Sequence, residues 1–184
     1  MPKLEINQII FEGEGRAEIF SFRPENVEKE RRGNLFFVGN IAKSISPKDS
    51  NYYILNSLAA ILKKEYYASP ILQSSQAFEA TLKKVNAFLM KIEPAVKNNL
   101  ELVVIILWDN HVMFSSFGIP EILLIRGNRI FRLTKQAPKT NQHFQQLTKG
   151  TVKADDRIIV GTSALTHWLA MPSFISRILK HSWS

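Results

Sequence analysis

The alternation of apolar and polar positions predicts three strands in the N-terminal part of the chain. Apolar and polar residues partly alternate over residues 4–11 and again over residues 17–22, as in strands with one buried face. The continuous apolar run Leu35–Val38 predicts a buried strand that extends towards Ile41. The intervening residues 25–33 are rich in charge, and we expect them to form an exposed loop.

After residue 47 the hydrophobic period changes to that of a helix. Asp49 or Ser50 can cap a helix that runs to about Tyr67, and a second helix is predicted from about Ser74 until Pro94 bends or ends it. Each helix has one apolar face suited to packing on a sheet. The apolar positions are Ile54, Leu55, Leu58, Ile61 and Leu62 in the first helix, and Phe78, Leu82, Val85, Leu89 and Ile92 in the second.

A second strand region follows the helices. Its first segment is wholly apolar, which is typical of a strand covered on both faces, and Asp109-Asn110 and Gly127-Asn128 are typical hairpin turns. We predict a meander of four strands: Leu102–Leu107, His111–Phe117, Ile122–Ile125 and Arg129–Leu133. Residues 134–150 are polar and predict a loop, with a short helical turn near residues 144–147.

The last part of the chain predicts one more strand and a helical end. The strand covers residues 156–161, and the helix-prone tail over residues 163–183 is interrupted by Pro172. Because strands and helices segregate along the chain, the fold class is α+β, an antiparallel β-sandwich flanked by helices. We expect a domain over residues 1–165 and a C-terminal helical tail, residues 166–184, that packs on it.

Composition narrows the class of protein. A chain of 184 residues is long enough for one domain with a real core. It has no cysteine, which excludes a disulfide scaffold, thiolate zinc sites, iron–sulfur clusters and a cysteine nucleophile. No apolar run approaches the roughly 18 residues of a membrane span. We therefore expect a soluble, cytoplasmic domain without a transmembrane segment.

The positive charge is confined to the last third of the chain. Residues 1–121 carry 14 basic and 14 acidic residues, whereas residues 122–184 carry 10 basic and two acidic ones, which accounts for the net charge of +8. This excess indicates either solvated charges on one sheet edge or a surface for an acidic protein, nucleic acid or an anionic membrane. The candidate basic surface, in which arginines alternate with apolar residues as on an exposed strand face, comprises Arg126, Arg129, Arg132 and Lys135.

Local motifs assign no catalytic residue. The four histidines lack the spacing of a metal pair, and neither a phosphate-binding glycine loop nor a nucleophile elbow is present. The adjacent acids Asp155 and Asp156 precede a strand, where closing the preceding loop is the commoner role.

Three segments in order nevertheless follow the pattern of a known family. They are Phe37–Lys43 before the two helices, Phe117–Glu121 within the strand region and Asp156–Leu165 at its end, with Ala80 and Asn86 as a looser correspondence. In this respect the chain resembles the PPM-type protein phosphatases, the metal-dependent serine/threonine phosphatases of type two C. The corresponding family motifs are Val-Ala-Asp-Gly-x-Gly-Gly, Val-Gly-Asp-Ser-Arg, and an Asp-led apolar strand ending in Ser-Asp-Gly-Leu. The resemblance implies a PPM-like fold, shortened at its C-terminus.

The departures from the family lie where its metals bind. The family holds two Mg²⁺ or Mn²⁺ ions through aspartates of the first and third motifs, and hard cations need anionic oxygens. Neutral side chains occupy those positions here, so the resemblance implies no metal, no cofactor and no catalytic residue. The degenerate metal-site positions are Asn40, Ile41, Ile119, Pro120, Ser163 and Ala164.

Three functions follow from these observations. The first is a catalytically inactive phosphatase-like domain that acts as a binding or regulatory module, with a protein as partner. The second is a basic module that docks on an acidic partner, nucleic acid or a membrane surface through residues 122–184, whose tail is amphipathic. The third is an active metal-dependent phosphatase whose ligands are rebuilt from Asp155, Asp156, Glu12 or Glu14.

Overall fold

A computed structural model describes residues 16–25, 31–41, 48–71, 73–134, 143–145 and 147–180. They form eight strands and five helices. The strands are β1 (Arg16–Phe22), β2 (Asn34–Ile41), β3 (Leu100–Trp108), β4 (His111–Phe117), β5 (Glu121–Arg126), β6 (Arg129–Arg132), β7 (Thr148–Thr151) and β8 (Arg157–Gly161). The helices are α1 (Lys48–Tyr67), α2 (Ser74–Leu89), α3 (Pro94–Lys97), α4 (Ala164–Leu169) and α5 (Pro172–Lys180).

The strands form two antiparallel sheets. The large sheet has the order β1-β2-β3-β4-β7, and the small sheet has the order β6-β5-β8. In the large sheet β2 is paired along its whole length with β3, from Asn34 opposite Leu107 to Ile41 opposite Leu100. Antiparallel sheets with helices on their faces are the α+β architecture that the sequence predicts.

Helices α1 and α2 cover one face of the large sheet. Their apolar stripes meet alternate residues of β2 and β3, such as Phe37, Val104 and Ile106, in the main core. The helical members of this core include Leu55, Leu58, Leu62, Tyr66, Phe78, Leu82, Val85 and Leu89. At the far end of α1, the hydroxyl of Tyr66 donates to Arg32 O at 2.7 Å, and burial raises the pKa of that hydroxyl to about 12.

The small sheet packs on the other face of the large sheet. Val103, Ile105 and Phe114 of the large sheet form a second core with Ile122 and Ile158 of the small sheet. Strand β3 is therefore buried on both faces, as its continuous apolar run predicts.

The last two helices contact the small sheet. Thr166 of α4 donates a hydrogen bond to Glu121 of β5 at 3.1 Å, and Arg157 of β8 donates to the carbonyl oxygen of Leu179 in α5 at 3.2 Å. Pro172 is the first residue of α5, a position where its missing N–H costs no helical hydrogen bond.

Several predicted elements differ from the structure. The predicted meander is divided, because β4 and β5 belong to different sheets and the chain crosses between them at Gly118–Pro120. Helix α2 ends at Leu89, and Pro94 starts the separate four-residue helix α3. The described residues near 144–147 are not helical, and β7 begins within the predicted loop and ends one residue after it. The predicted strand over residues 4–11 lies outside the described residues.

No helix among the described residues is long and apolar enough to cross a membrane.

Candidate functional site

The candidate site is centred on Glu101, the second residue of β3. Asn40 lies directly opposite Glu101 in the register of β2 and β3, and Ile41 lies opposite Leu100. Directly opposite residues of an antiparallel pair share a face, with Cβ atoms roughly 4.5–5.5 Å apart. Asn40, in the middle of the first family-like motif, therefore lies beside Glu101. Ile41, in contrast, points into the main core and is only 1% exposed.

The second motif reaches the same place through a tight turn. Gly118 has a φ of +76°, and a Cβ there would lie 2.4 Å from Leu100 O and 3.3 Å from the Cα of Glu101. Only glycine allows this conformation and this close approach together. The turn presents Ile119 to solvent, 49% exposed, while Pro120 is buried.

The third motif contacts Glu101 directly. The backbone N–H of Ser163 donates a hydrogen bond of 3.0 Å to Oε2 of Glu101, whose residue is only 8% exposed. Ser163 immediately precedes α4, which begins at Ala164, so the carboxylate binds an amide at the start of that helix. Asn40 and Ser163 thus lie beside one buried carboxylate, and the turn at Gly118, which precedes Ile119, approaches the backbone of the same residue.

The groups shown beside the Glu101 carboxylate are Asn40, which is its cross-strand neighbour, and the backbone N–H of Ser163. In the described ranges of the chain, no group of three or more His, Cys, Asp or Glu side chains could hold a metal ion.

A second buried carboxylate, Glu121, links three elements of the small-sheet layer. Its Oε1 accepts from the hydroxyl of Thr166 at 3.1 Å, and its Oε2 accepts from the hydroxyl of Thr134 at 3.4 Å and forms an ion pair with Arg132 Nε at 3.0 Å. Glu121 occupies the position of the arginine that ends the Val-Gly-Asp-Ser-Arg motif. Here the residue at that position is acidic and serves to join β5, β6 and α4.

Sequence reasoning missed both buried glutamates. Glu101 does give a signal, because it is the one charged residue in the otherwise apolar strand Leu100–Trp108. A charged residue in a strand covered on both faces needs a specific partner, since burial of an unpaired charge is costly. Glu121 gives no such signal, because it stands at the first position of its strand, where charged residues are common.

Asn86, the looser correspondence in α2, has a structural role. Its amide donates to Phe144 O at 3.1 Å and accepts from Phe144 N at 2.8 Å. This pair of hydrogen bonds attaches the segment 143–145 to α2.

The candidate basic residues do not share one face. Arg129 lies directly opposite Arg126, so these two are on the same face, whereas Arg132 is an odd number of positions from Arg129 and lies on the opposite face with Glu121. The prediction of a single exposed arginine face was wrong, because a spacing of three residues changes the face of a strand. Lys135 lies outside the described residues.

Asp156 closes the loop before β8 and forms a paired site with Arg126. Arg126 donates to both carboxylate oxygens, at 2.9 and 2.6 Å, and the N–H of Lys153 donates at 2.7 Å. The hydrogen bonds from Arg126, followed by that from Lys153, hold the pKa of Asp156 below its ordinary value, and the same contact raises the pKa of Arg126. Arg126 also donates to Thr151 O at 3.0 Å and so connects the two sheets.

Comparisons with known proteins find similarity in structure but not in sequence. No protein-family model and no curated protein matches the chain. The serine/threonine phosphatase of S. agalactiae has a TM-score of 0.61 at 9% identity, with 92% of this chain and 88% of that one covered. PppA of Pseudomonas aeruginosa, described as a key regulatory component of T6SS, has a TM-score of 0.58 at 13% identity, with coverages of 92% and 86%.

A third similar structure contains metal. The catalytic domain of the serine/threonine phosphatase PstP of Mycobacterium tuberculosis, in complex with two manganese ions, has a TM-score of 0.52 at 15% identity, with coverages of 90% and 89%. Identities this low establish the fold alone. The predicted resemblance is confirmed at that level: the chain has the fold of the PPM-type serine/threonine phosphatases.

Proposed function

We propose that this chain is a catalytically inactive phosphatase-like domain that acts by binding, with a protein as its partner. The observation that carries the proposal is the hydrogen bond between Glu101 and the backbone of Ser163. Among the described side chains, Glu101 is the carboxylate that lies beside Asn40 and Ser163, and one of its oxygens already accepts a hydrogen bond from the backbone N–H of Ser163.

The donor set at this point does not fit a two-metal centre. Such a centre needs several anionic oxygens that bridge two hard cations, and the cations generate the attacking hydroxide. Asn40 and Ser163 offer only neutral oxygens, and Ile119 offers none. Without the metals, no described group at Glu101 supplies an equivalent nucleophile or electrophile, so no hydrolytic step is derived through this site.

The experiment is a phosphatase assay on the full chain. The substrates are p-nitrophenyl phosphate and a phosphothreonine peptide, with Mn²⁺ or Mg²⁺, with and without chelator, and the variant Glu101→Gln is assayed beside the unmodified chain. We expect no phosphate release above the blank in any condition. Calorimetric titration with Mn²⁺ should show no stoichiometric binding.

Chelator-sensitive turnover that co-purifies with the chain would overturn the proposal. If the Glu101→Gln variant lost this turnover, the metal site would lie at Glu101. If the variant kept the turnover, the metal ligands would lie elsewhere. Asp156, one of the ligands considered for an active enzyme, already binds Arg126 and the N–H of Lys153. Asp155 is exposed, and Glu12 and Glu14 lie outside the described residues.

The charge distribution favours a basic docking surface as a second function, which is compatible with the first. All of the net charge of +8 lies in residues 122–184. Binding that depends on this surface should weaken as salt is added, because exposed charges are screened within roughly 10 Å at 0.1 M salt. Binding to heparin or anionic liposomes without salt dependence would contradict an electrostatic surface. The cytoplasmic location stays a prediction.

A further inference from the structure

The strand β6 forms an exposed edge of the small sheet. It pairs with β5 on one side, and no strand in the described part of the chain pairs with its other side. Arg129, Phe131 and Arg132 are exposed, Phe131 to 43%. An exposed edge strand presents unpaired backbone N–H and C=O groups, with which an extended segment of another chain can pair.

The register identifies which backbone groups face outward. The N–H of Leu133 donates to Ile122 O at 2.8 Å, so Leu133 occupies a hydrogen-bonded position of the ladder with β5. Hydrogen-bonded and non-bonded positions alternate along an antiparallel strand. Ile130 and Arg132 therefore occupy non-bonded positions, and their N–H and C=O groups point away from β5.

The charge near the outer edge of β6 indicates which kind of polypeptide segment would pair with it. Arg129 lies opposite Arg126, and no described acidic side chain pairs with Arg129, whereas Arg126 is paired with Asp156. Arg132 is paired with Glu121, and residues 122–184 as a whole carry 10 basic residues and two acidic ones. The field at the edge of β6 therefore attracts negative charge.

The same arginines disfavour a second copy of this chain as the occupant. Antiparallel pairing of two outer edges would place Ile130 of one copy opposite Arg132 of the other, because these residues carry the outward groups, and it would bring the four arginines of the two β6 strands into one short segment. Each copy also carries a net charge of +8, and a like net charge opposes association. Natural edge strands use such charges to prevent self-pairing, which leaves a partner of opposite charge.

An apolar groove lies at one end of β6. It has a volume of about 540 Å³ and is lined by Asn128, Ala170, Pro172, Ile175, Ser176 and Leu179. Asn128 immediately precedes β6, so a segment paired with this strand in either direction has one end at the groove. Trp168 in α4 and Met171, which lies between α4 and α5, are each 37% exposed.

We infer that the outer edge of β6 is a docking site for an extended acidic polypeptide segment. The segment pairs with the outward backbone groups of Ile130 and Arg132, places a carboxylate beside Arg129, and inserts an apolar residue into the groove at Asn128. This inference rests on the proposed binding role and names the chemistry of the partner.

The test measures binding of labelled peptides to the full chain by fluorescence anisotropy. The probe is a capped peptide of five Glu-Val repeats followed by Leu, and the matched control peptide has Lys in place of every Glu. We expect the acidic peptide to bind, the basic one not to bind, and affinity to fall as salt is raised.

Three variants locate the site. Arg129→Glu removes the attracting charge, and we expect about tenfold weaker binding. Ile130→Pro removes an outward N–H while leaving the ladder with β5 intact, since proline is tolerated on strand edges, and we expect a loss of about tenfold or more. Lys83→Glu, an exposed residue of α2, makes the same charge change elsewhere and should leave binding unchanged. Thermal unfolding checks that each variant folds.

The inference is overturned if both peptides bind equally, or if Arg129→Glu and Ile130→Pro bind the acidic peptide as the unmodified chain does. Tighter binding of a 12-nucleotide oligo-dT or of phosphatidylserine vesicles, unaffected by Ile130→Pro, would also overturn it and assign the surface to nucleic acid or membrane. None of these results depends on the phosphatase assay, because β6 is separate from Glu101. Binding of the acidic peptide at β6 and hydrolysis of phosphate are therefore separate properties, and each is tested by its own experiment.

Discussion

Glu101 in β3 accepts a hydrogen bond from the backbone N–H of Ser163, a residue 62 positions later in the chain, at 3.0 Å. The contact joins the central strand of the large sheet to the start of α4, a helix that contacts the small sheet. Glu101 is 8% exposed, and a buried carboxylate requires hydrogen-bond donors such as this amide. The carboxylate therefore has a structural role in holding the two layers together at the candidate site.

Glu101→Ala should destabilise the fold. The substitution leaves the Ser163 N–H without its partner, and the loss of a hydrogen bond to a charged group costs about 2 kcal/mol. Glu101→Gln keeps an acceptor oxygen and should cost about half as much. Urea unfolding followed by circular dichroism measures both. A free energy of unfolding for Glu101→Ala equal to that of the unmodified chain would contradict the contact.

Gly118→Ala should destabilise the fold much more than Gly127→Ala. Both glycines have positive φ, +76° and +56°, so both alanines carry backbone strain of about 1 kcal/mol or more. Only Gly118 also meets backbone, with Leu100 O 2.4 Å from a Cβ, whereas a Cβ on Gly127 meets nothing within 4 Å.

The pair of glycine variants separates strain from close approach. We expect the free energy of unfolding of Gly118→Ala to lie at least about 2 kcal/mol below that of Gly127→Ala, because the fixed carbonyl of Leu100 cannot move without disturbing β3. Chemical denaturation gives both values. Equal values would show that the chain crosses between the sheets without the close contact.

A helix or strand of this fold can be predicted from the sequence when its hydrophobic and polar residues follow a clear pattern. The apolar run within β3 and the stripes of α1 and α2 give clear periodicities, and the structure places these elements where they predict them. Strand β7 consists of Thr148, Lys149, Gly150 and Thr151 and is mostly exposed. It is held by backbone pairing with β4, which leaves no hydrophobic pattern to detect.

The candidate site was predictable only in part, for a similar reason. Motif order predicts that Asn40, Ile119 and Ser163 mark one site, and this assignment stays a prediction. The position of Glu101 beside Asn40 and Ser163 depends on the register of β2 and β3 and on the contact with the start of α4, which sequence order alone does not determine. Both form only when the strands and helices pack in the folded chain.

Asn86→Ala should release the segment that contains Phe144 from α2. The amide of Asn86 makes two hydrogen bonds with the backbone of Phe144, and Phe144 itself is 6% exposed in the main core. Losing both bonds leaves a backbone N–H and C=O unpaired, with a cost of about 1–3 kcal/mol.

Hydrogen exchange at residues 143–145 measures this release more directly than global stability. We expect faster exchange of the Phe144 amide in Asn86→Ala and no change in Lys83→Ala, an exposed position of the same helix. Unchanged protection of Phe144 in Asn86→Ala would mean that its ring, packed 5.9 Å from that of Phe117, holds the segment without the amide.

Asp156→Asn should reduce stability at neutral pH and have less effect in acid. Hydrogen bonds from Arg126 hold the pKa of Asp156 below its ordinary value of 3.8, so the folded state binds the proton less readily than the unfolded state. The Asp156 carboxylate therefore contributes its full stabilisation above the ordinary pKa of 3.8, and this contribution is lost as the pH falls through the lower pKa of the folded state. The difference in melting temperature between the unmodified chain and Asp156→Asn should be large at pH 7 and shrink towards pH 2. Asp155→Asn, at the exposed neighbour, is the control; a difference for Asp156→Asn that stays constant with pH would show that the pair with Arg126 does not depend on the carboxylate charge.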